Sequence, residues 1–327
     1  MQKLGRKFLK LFLLFPAWLK LGSLKWAYRL AQENFSPRDL AGLEVKSGNL
    51  VSSYTGITAD DSSYRQIKGG MHYWVSFAQY EGISHFGMEA GKLVTTVDGV
   101  KFQIDHPGSL FVLDEIFAER LYDLRVTEDL VLIDVGMNIG AASLYFSTRP
   151  NILHVFSYEP LRETYEQALV NIQLNPSLVP RITPVQKGVS NYSGAIEVPT
   201  AEGGSAVFST DKDFIGTLGT DSEKKVTVEI VPVVALMDDI EEKFPGKRIF
   251  LKLDCEGEEY KIMDALSVDG RLDKIAVIAL EWHFKGFASL CLLLEQHNFS
   301  VFNLGRKDIK PPCGMIYAFN MKNQTYA

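Results

Sequence analysis

The feature that most constrains the fold is a regular alternation of short apolar runs with amphipathic segments, which begins at Val131. This alternation is typical of βαβ units and of a mostly parallel sheet. The predicted strands are Val131 to Val135, His154 to Tyr158, Thr183 to Lys187, Ile249 to Leu253 and Lys274 to Leu280. The predicted helices are Ala141 to Arg149, Arg162 to Leu174, Val234 to Phe244, Glu258 to Leu266 and Phe287 to His297. The sequence therefore predicts a doubly wound, Rossmann-like α/β fold.

The end of the chain departs from this alternation. Two final apolar runs, Ser300 to Leu304 and Gly314 to Phe319, have no helix between them and predict a C-terminal antiparallel hairpin. A parallel sheet that ends in such a pair is typical of methyltransferases rather than of ordinary dinucleotide-binding folds.

The first part of the chain has a different composition. From Phe35 to about Val97 it is rich in Gly, Ser and aromatic residues, and alternating stretches such as His72 to Phe77 predict half-buried strands. We therefore expect an N-terminal helix over residues 1–30, a small β-rich accessory region over 31–96 and a catalytic domain over 97–327. Within the last part, the polar stretch from Thr200 to Lys225 predicts a lid or binding loop.

A glycine-containing loop, Asp134-Val135-Gly136-Met137-Asn138-Ile139-Gly140, lies directly between a predicted strand and a predicted helix. Gly136 allows a tight turn, and Gly140 allows the helix to pack close to the strand. Asn138 stands where a nucleotide-binding fold often has glycine, and asparagine tolerates the left-handed conformation better than most residues. The loop predicts a nucleotide-type cofactor site.

The second predicted strand ends at Tyr158-Glu159-Pro160. Doubly wound folds place an acid at about this distance beyond the glycines, where it binds the ribose hydroxyls of the cofactor. The competing explanation is that Glu159 caps the next helix at its N-terminus, where a carboxylate is also favoured. The upstream glycine loop favours ribose binding, with Pro160 beside it in the site.

Three segments together resemble the FkbM family of S-adenosylmethionine-dependent methyltransferases. They are Asp134 to Gly140, Glu159-Pro160 with the later Asn171 and Asn175, and Leu251 to Glu259 with its Lys-x-Asp-x-Glu-Gly-x-Glu pattern. The resemblance runs from about Val97 to Phe319 and implies S-adenosylmethionine as the cofactor. It also implies that Asp134, Gly136 and Gly140 shape the cofactor pocket, that Glu159 holds the ribose, and that the carboxylates after the fourth strand face the methyl donor.

The family is similar to O-methyltransferases that act on sugar hydroxyls or polyketide alcohols. We therefore expect an O-methyltransferase whose substrate is a glycan, a glycolipid precursor or a similar metabolite. Two alternatives stay open, a nicotinamide-dependent dehydrogenase and a catalytically silent protein of the same fold that is recruited to membranes. The C-terminal hairpin and Asp134 argue against the first, and the presence of Asp134, Glu159 and Asp254 argues against the second.

The polar residues after the fourth and fifth strands are candidates for the chemistry. An alcohol is a poor nucleophile until its proton leaves, so a base within hydrogen-bond reach is expected. Glu256 is the preferred candidate, with Asp254 and His283 as alternatives, although these side chains could instead orient loops, pair with Lys252 or be buried for packing. A divalent cation on Asp254, Glu256 and Glu281 is a further alternative, but our expectation is a site without metal.

The N-terminus is strongly basic before its first acid, Glu33. The basic residues are Lys3, Arg6, Lys7, Lys10, Lys20, Lys25 and Arg29. At helical period an apolar stripe lies opposite the first four of them, made of Leu4, Phe8, Leu11, Phe12 and Phe15. This pattern favours a helix in the membrane interface, ahead of a helix docked on the protein's own core or a signal peptide.

Composition limits the partners and the compartment. The formal net charge is −6, and no basic stripe interleaved with aromatics occurs in the body of the chain, so a nucleic-acid substrate is not expected. Cys255, Cys291 and Cys313 have no spacing that suits a metal or a disulfide framework. We expect a cytoplasmic protein with peripheral membrane contact through residues 1–30.

Overall fold

The structure is a computed structural model that describes residues 13–32, 35, 40–53, 58–61, 64, 80–199, 225–306 and 313–322. Its internal contacts divide the chain into two compact units, residues 1–121 and 122–327. Among the helices that the structure describes, none is both long and apolar enough to cross a membrane.

The first unit begins with helices α1, residues 13–21, and α2, Leu24–Gln32. Two three-stranded antiparallel sheets follow, with neighbouring strands adjacent in sequence. Their strands are β1 (Leu43–Lys46), β2 (Asn49–Ser52), β3 (Thr58–Ala59), β4 (Ile83–Glu89), β5 (Lys92–Val97) and β6 (Val100–Ile104). Helix α3, Pro107–Leu113, continues into a π-helical turn, Asp114–Ala118. The β-rich N-terminal region is thus confirmed, while the predicted strand at His72 to Phe77 lies outside the described residues.

The boundary predicted at residues 96 and 97 falls inside a hairpin, because Val97 of β5 pairs with Val100 of β6. The contacts instead divide the chain after Leu121. The division into an N-terminal helix, an accessory region and a catalytic domain stays a prediction.

The second unit is built on a seven-stranded sheet, whose strands are β7 (Leu130–Val135), β8 (Ile152–Tyr158), β9 (Ile182–Val185), β13 (Arg248–Leu253), β14 (Ile275–His283), β15 (Phe299–Arg306) and β16 (Cys313–Asn320). They lie in the order β15-β16-β14-β13-β7-β8-β9. Neighbouring strands are parallel except that β16 is antiparallel to both β14 and β15. The doubly wound α/β fold and its C-terminal antiparallel hairpin are therefore confirmed.

Helices connect these strands near the predicted positions. They are α4 (Ala141–Ser147), α5 (Arg162–Gln173), α6 (Val233–Lys243), α7 (Glu259–Val268) and α8 (Ala288–Gln296). Short 3-10 turns, Val179–Arg181 and Arg271–Lys274, precede β9 and β14.

A small additional sheet in the second unit was not predicted. It consists of β10 (Gly188–Ser190), β12 (Lys225–Pro232) and β11 (Gly194–Pro199), in that order. Except for Lys225, the polar stretch predicted as a lid falls outside the described residues.

The central strands explain both the core and the position of the site. All six residues of β7 are buried, as expected for a parallel sheet covered on both faces. Leu253 at the end of β13 is level with Val135 of β7 on one side and with Leu280 of β14 on the other. Polar residues that follow these strands therefore share one edge of the sheet, where ligands of open α/β folds bind.

Candidate active site

The glycine loop after β7 has three residues in the left-handed region. Gly136 and Gly140 both have φ of +82°, and Asn138 has φ of +52°. A Cβ on Gly136 would lie 1.8 Å from the carbonyl oxygen of Asp254, so only glycine allows this loop to touch the backbone after β13. At Gly140 a Cβ would lie 3.4 Å from that of Ala168 in α5, which is an ordinary contact. The requirement at Gly140 is therefore its φ, and not the close packing of helix on strand that was predicted.

Asp134 lies beneath this loop and has no exposed surface. One carboxylate oxygen accepts a hydrogen bond from Ser143 Oγ at 2.6 Å, and the other is 3.0 Å from Lys252 Nζ. Lys252 also donates to the carbonyl oxygen of Gly136 at 2.7 Å. Burial alone would lower the pKa of Lys252, but the charges of Asp134 and Asp254 outweigh it and the pKa is raised. Asp134 therefore supports the glycine loop from its buried side, through Lys252.

Glu159 joins the glycine loop to helix α5. Its carboxylate accepts the backbone N–H of Asn138 on one oxygen and that of Leu161, the residue before α5, on the other, both at 3.0 Å. The side chain is buried, and burial raises its pKa to about 7, although both hydrogen bonds act in the opposite direction. Glu159 thus both supports the start of α5 and lies beside the loop. Pro160, which follows it, is partly buried.

The two asparagines of the resemblance support the same loop. Asn171 donates its side-chain amide to the carbonyl oxygen of Ile139 at 2.9 Å, and Asn175 donates to the carbonyl oxygen of Asn171 at 2.8 Å. Both side chains are buried in the second unit. Their role in this structure is to hold the loop in place.

Acidic side chains and an imidazole meet where β13 and β14 end. One carboxylate oxygen of Asp254, one of Glu256 and one ring nitrogen of His283 all lie within 4.8 Å of one another. His283 Nε2 is 3.7 Å from Glu256 and 4.0 Å from Glu281. We call Asp254, Glu256 and His283 the acid–histidine cluster. The three candidates for the base are therefore neighbours.

Glu259, the first residue of α7, lies behind this cluster with no exposed surface. One of its oxygens accepts the backbone N–H of His283 at 2.7 Å and lies 3.3 Å from His283 Nδ1. The other accepts the backbone N–H of Gly257 at 2.8 Å. Glu259 therefore fixes both the turn after β13 and the orientation of the imidazole at the end of β14.

Burial and neighbouring charges shift the pKa values of the ionisable side chains in this region. Burial raises the pKa of Glu256 to about 8, although His283 acts against it. Burial and the charge of Asp254 raise the pKa of Glu281 to about 7. Burial alone would lower the pKa of His283, but Glu259, Glu256 and Asp254 raise it to about 10. Burial is thus the main cause of the raised pKa values of Glu256 and Glu281, whereas the neighbouring acids are the cause for His283.

Two residues that were not predicted as site residues, Lys252 and Glu259, support the site. Lys252 and Glu259 stand in the Lys-x-Asp-x-Glu-Gly-x-Glu stretch, yet the sequence did not show that both side chains turn inward to support the site. The site was expected to lack a metal, and of the residues in the alternative that placed a cation there, the structure groups Asp254 and Glu256 with His283 rather than with Glu281.

The domain match decides the family. Residues 134–301, just over half of the chain, match the FkbM methyltransferase domain. The chain belongs to the FkbM methyltransferase family. The matched segment of this FkbM chain includes the glycine loop, Glu159 and the acid–histidine cluster.

Relatives of this FkbM chain include two curated methyltransferases. Methyltransferase 1 of Beauveria bassiana is 28% identical over 228 residues, which cover 63% of this chain and 87% of that protein. Hexuronic acid methyltransferase AglP of Haloferax volcanii is 28% identical over 167 residues, which cover 50% of this chain and 60% of that protein. The crystal structure of an FkbM methyltransferase from Methylobacillus flagellatus aligns over 80% of this chain and 56% of its own, with 14% identity and a TM-score of 0.42.

Proposed function

We propose that this protein transfers a methyl group from S-adenosylmethionine to a hydroxyl oxygen of a glycan, a glycolipid precursor or a similar metabolite. The observation that carries the proposal is the contact between Gly136 and the backbone of Asp254. Through this contact the glycine loop and the acid–histidine cluster share one edge of the sheet. A cofactor on the loop and an acceptor at the cluster would then be neighbours.

The residues around the glycine loop fit the cofactor. An ionised carboxylate offers about four acceptor positions. Each oxygen of Glu159 accepts one backbone N–H in the structure. Glu159 would therefore accept the ribose hydroxyls with the remaining positions, next to Gly136, Asn138 and Pro160. When bound, S-adenosylmethionine supplies an activated methyl group and becomes a neutral thioether.

The acid–histidine cluster would prepare the acceptor. A hydroxyl must lose its proton to become a good nucleophile, and a positioned base typically contributes about 10²- to 10⁴-fold to the rate. Glu256 is the residue that we expect to matter most. Asp254 would orient the acceptor and His283 would approach it from β14. An oxygen acceptor suits this cluster because its acidic groups can take a hydroxyl hydrogen bond.

A sugar-bearing acceptor is supported by one relative, which is named a hexuronic acid methyltransferase. The accompanying proposal is a peripheral contact with the cytoplasmic face of a membrane. It rests on large apolar side chains that α1 and α2 expose, namely Phe15, Trp18, Leu19, Leu24 and Tyr28. Aromatic and leucine side chains of this kind enter the headgroup boundary of a bilayer.

The test begins with calorimetric titration of the purified protein with S-adenosylmethionine and with NAD. We expect binding of the first only, and binding of NAD alone would support a dehydrogenase instead. Extracts and hexuronic acid glycans are then incubated with methyl-labelled cofactor, and mass spectrometry locates the label. A methyl ether is the expected product, whereas label on nitrogen or carbon would contradict the proposal.

The same assay examines Glu256. We expect Glu256→Gln to bind S-adenosylmethionine as the wild type does while methyl transfer falls by about 10²- to 10⁴-fold. Asp269→Asn is the control, because Asp269 is an exposed acid at the end of α7. Full transfer by Glu256→Gln would remove Glu256 from the mechanism.

A further inference from the structure

We propose that Asp254, Glu256 and His283 bind a divalent cation, which in turn binds the acceptor hydroxyl. The inference deepens the proposed function and rests on it for the role of the cation, but not for its binding. The two carboxylates and the imidazole favour different metals. Carboxylate oxygens suit magnesium, calcium and manganese, whereas imidazole suits the later transition metals. Manganese accepts both and is the cation to which we commit.

The spacing of the ligand atoms fits one ion. The three atoms lie within 4.8 Å of one another. Two atoms that bind one cation at about 2.1 Å lie about 3 Å apart at a right angle and about 4.2 Å apart on opposite sides of the ion, so a pair 4.8 Å apart would close by about 0.6 to 1.8 Å when the ion binds. Asp254 and Glu256 lie in the turn after β13 and have partly exposed side chains, which allows this movement.

His283 provides a second observation that points to a ligand. Its side chain is only 8% exposed, and its Nδ1 faces the buried Glu259 at 3.3 Å. Its Nε2 lies 3.7 and 4.0 Å from carboxylate oxygens of Glu256 and Glu281, beyond hydrogen-bond distance, and it would release its proton when it binds the ion. Imidazoles that bind metals commonly donate their other ring N–H to a carboxylate in this way, which directs the second nitrogen at the ion.

The local charge favours a cation. Four carboxylates, those of Asp254, Glu256, Glu259 and Glu281, surround His283. Lys252 lies 3.7 Å from Asp254 but is also paired with Asp134.

A cation at this position would change what the cluster does. Three protein ligands leave coordination positions for the acceptor, and a bound cation lowers the pKa of a hydroxyl that it holds. The hydroxyl proton would leave to water, and the hydroxyl oxygen would form its bond to the methyl carbon as the bond between that carbon and the cofactor's sulfur breaks and the neutral thioether is released. The substrate class that fits best is a sugar or diol, whose neighbouring oxygens can bind one cation together.

The experiment measures manganese binding by electron paramagnetic resonance, with the full chain and with neither S-adenosylmethionine nor an acceptor present. Free Mn²⁺ gives a six-line spectrum that weakens when the ion binds protein. We expect one ion per wild-type chain. Manganese binding should weaken by at least tenfold in each of three variants that nearly preserve side-chain volume, Asp254→Asn, Glu256→Gln and His283→Gln. The control variant Asp269→Asn should bind manganese as the wild type does.

Two further measurements make the result decisive. Glu259→Gln should weaken manganese binding by about 10- to 100-fold, as is usual for a residue that orients a metal ligand. Thermal unfolding identifies any variant that does not fold, in which case Asp254→Asn carries the test because its side chain is a third exposed. The proposal is overturned if wild-type protein does not weaken the spectrum of free Mn²⁺ at millimolar concentration. It is also overturned if the folded variants of the acid–histidine cluster bind manganese as the wild type does. Methyl transfer without manganese binding would overturn the cation alone and leave the proposed function standing.

Discussion

At the scale of single residues, Glu159 connects the fold to the proposed cofactor. Its carboxylate holds the backbone of Asn138 and of Leu161, and burial raises its pKa to about 7. A carboxyl group with this pKa is half protonated at neutral pH, and protonation removes the charge that strengthens hydrogen bonds from ribose hydroxyls. Cofactor affinity should therefore depend on pH where most carboxylates are already fully ionised.

The first prediction is that affinity for S-adenosylmethionine falls by about tenfold per pH unit below pH 7 and is constant above pH 8, because only the ionised fraction of Glu159 binds well. At pH 8, Glu159→Gln should lose charge-assisted hydrogen bonds of about 1.5 to 3 kcal/mol, or roughly ten- to over a hundredfold in affinity. The variant should also lose the pH dependence. Calorimetry from pH 6 to 8.5 measures both effects, with the exposed Glu163→Gln in α5 as the control. A variant that retains the slope would show that another group titrates.

Residue roles could be predicted from the sequence only where backbone conformation or chain order determines them. Asn138 was expected in the left-handed region, and its φ of +52° confirms this. For Glu159 the sequence left two roles open, ribose binding and capping of the next helix. Its hydrogen bonds to the N–H groups of Leu161 and Asn138 show that the side chain supports the start of α5 and also lies beside the glycine loop. The inward positions of Lys252 and Glu259 could not be predicted. Lys252 stands in a strand whose last five residues are all buried, so alternation along the strand does not assign its face, and Glu259 is the first residue of α7, where the preceding turn sets the direction of the side chain.

At the scale of elements, strands buried on both faces were predictable because they form continuous apolar runs. β12 was not predicted, and its first three residues are all exposed. The N-terminal helices show two faces. Trp26 and Leu30 are fully buried, and Trp26 donates to the carbonyl oxygen of Gly48 at 2.9 Å, so one face of α2 packs on the first unit's own core. The basic stripe predicted before Phe15 lies outside the described residues.

The second prediction uses the other face of α1. Phe15, Trp18 and Leu19 are 61%, 44% and 63% exposed and share one side of the helix by their spacing. Replacing all three with serine should weaken binding to phosphatidylserine vesicles by at least tenfold per residue, since burial of each large apolar side chain contributes about 1.5 kcal/mol or more. Vesicle sedimentation measures the loss. Leu292→Ser, which removes an exposed leucine from α8, is the matched control.

These substitutions test the membrane proposal more cleanly than a deletion up to Arg29 would, because that deletion also removes the buried Trp26. The variant is expected to unfold at the wild-type temperature. Vesicle binding equal to that of the wild type would assign the apolar face to another partner.

At the scale of the whole molecule, the two units carry different parts of the proposed activity. The glycine loop, Glu159 and the acid–histidine cluster all lie in residues 122–327, which have their own core and their own seven-stranded sheet. The exposed apolar face of α1 lies in residues 1–121. Because a compact unit with its own core can in principle fold alone, the two activities should be separable.

The last prediction is that a chain beginning at Tyr122 unfolds in one cooperative transition and binds S-adenosylmethionine within about threefold of the full-length affinity, since contributions from distant residues are nearly independent. The same chain should not bind phosphatidylserine vesicles. Calorimetry and vesicle sedimentation measure the two properties, and Glu159→Gln in the shortened chain should lower cofactor affinity as much as it does in the full chain. If the shortened chain is folded but does not bind the cofactor, residues of the first unit contribute to the cofactor site, and the assignment of that site to the glycine loop and Glu159 alone is wrong.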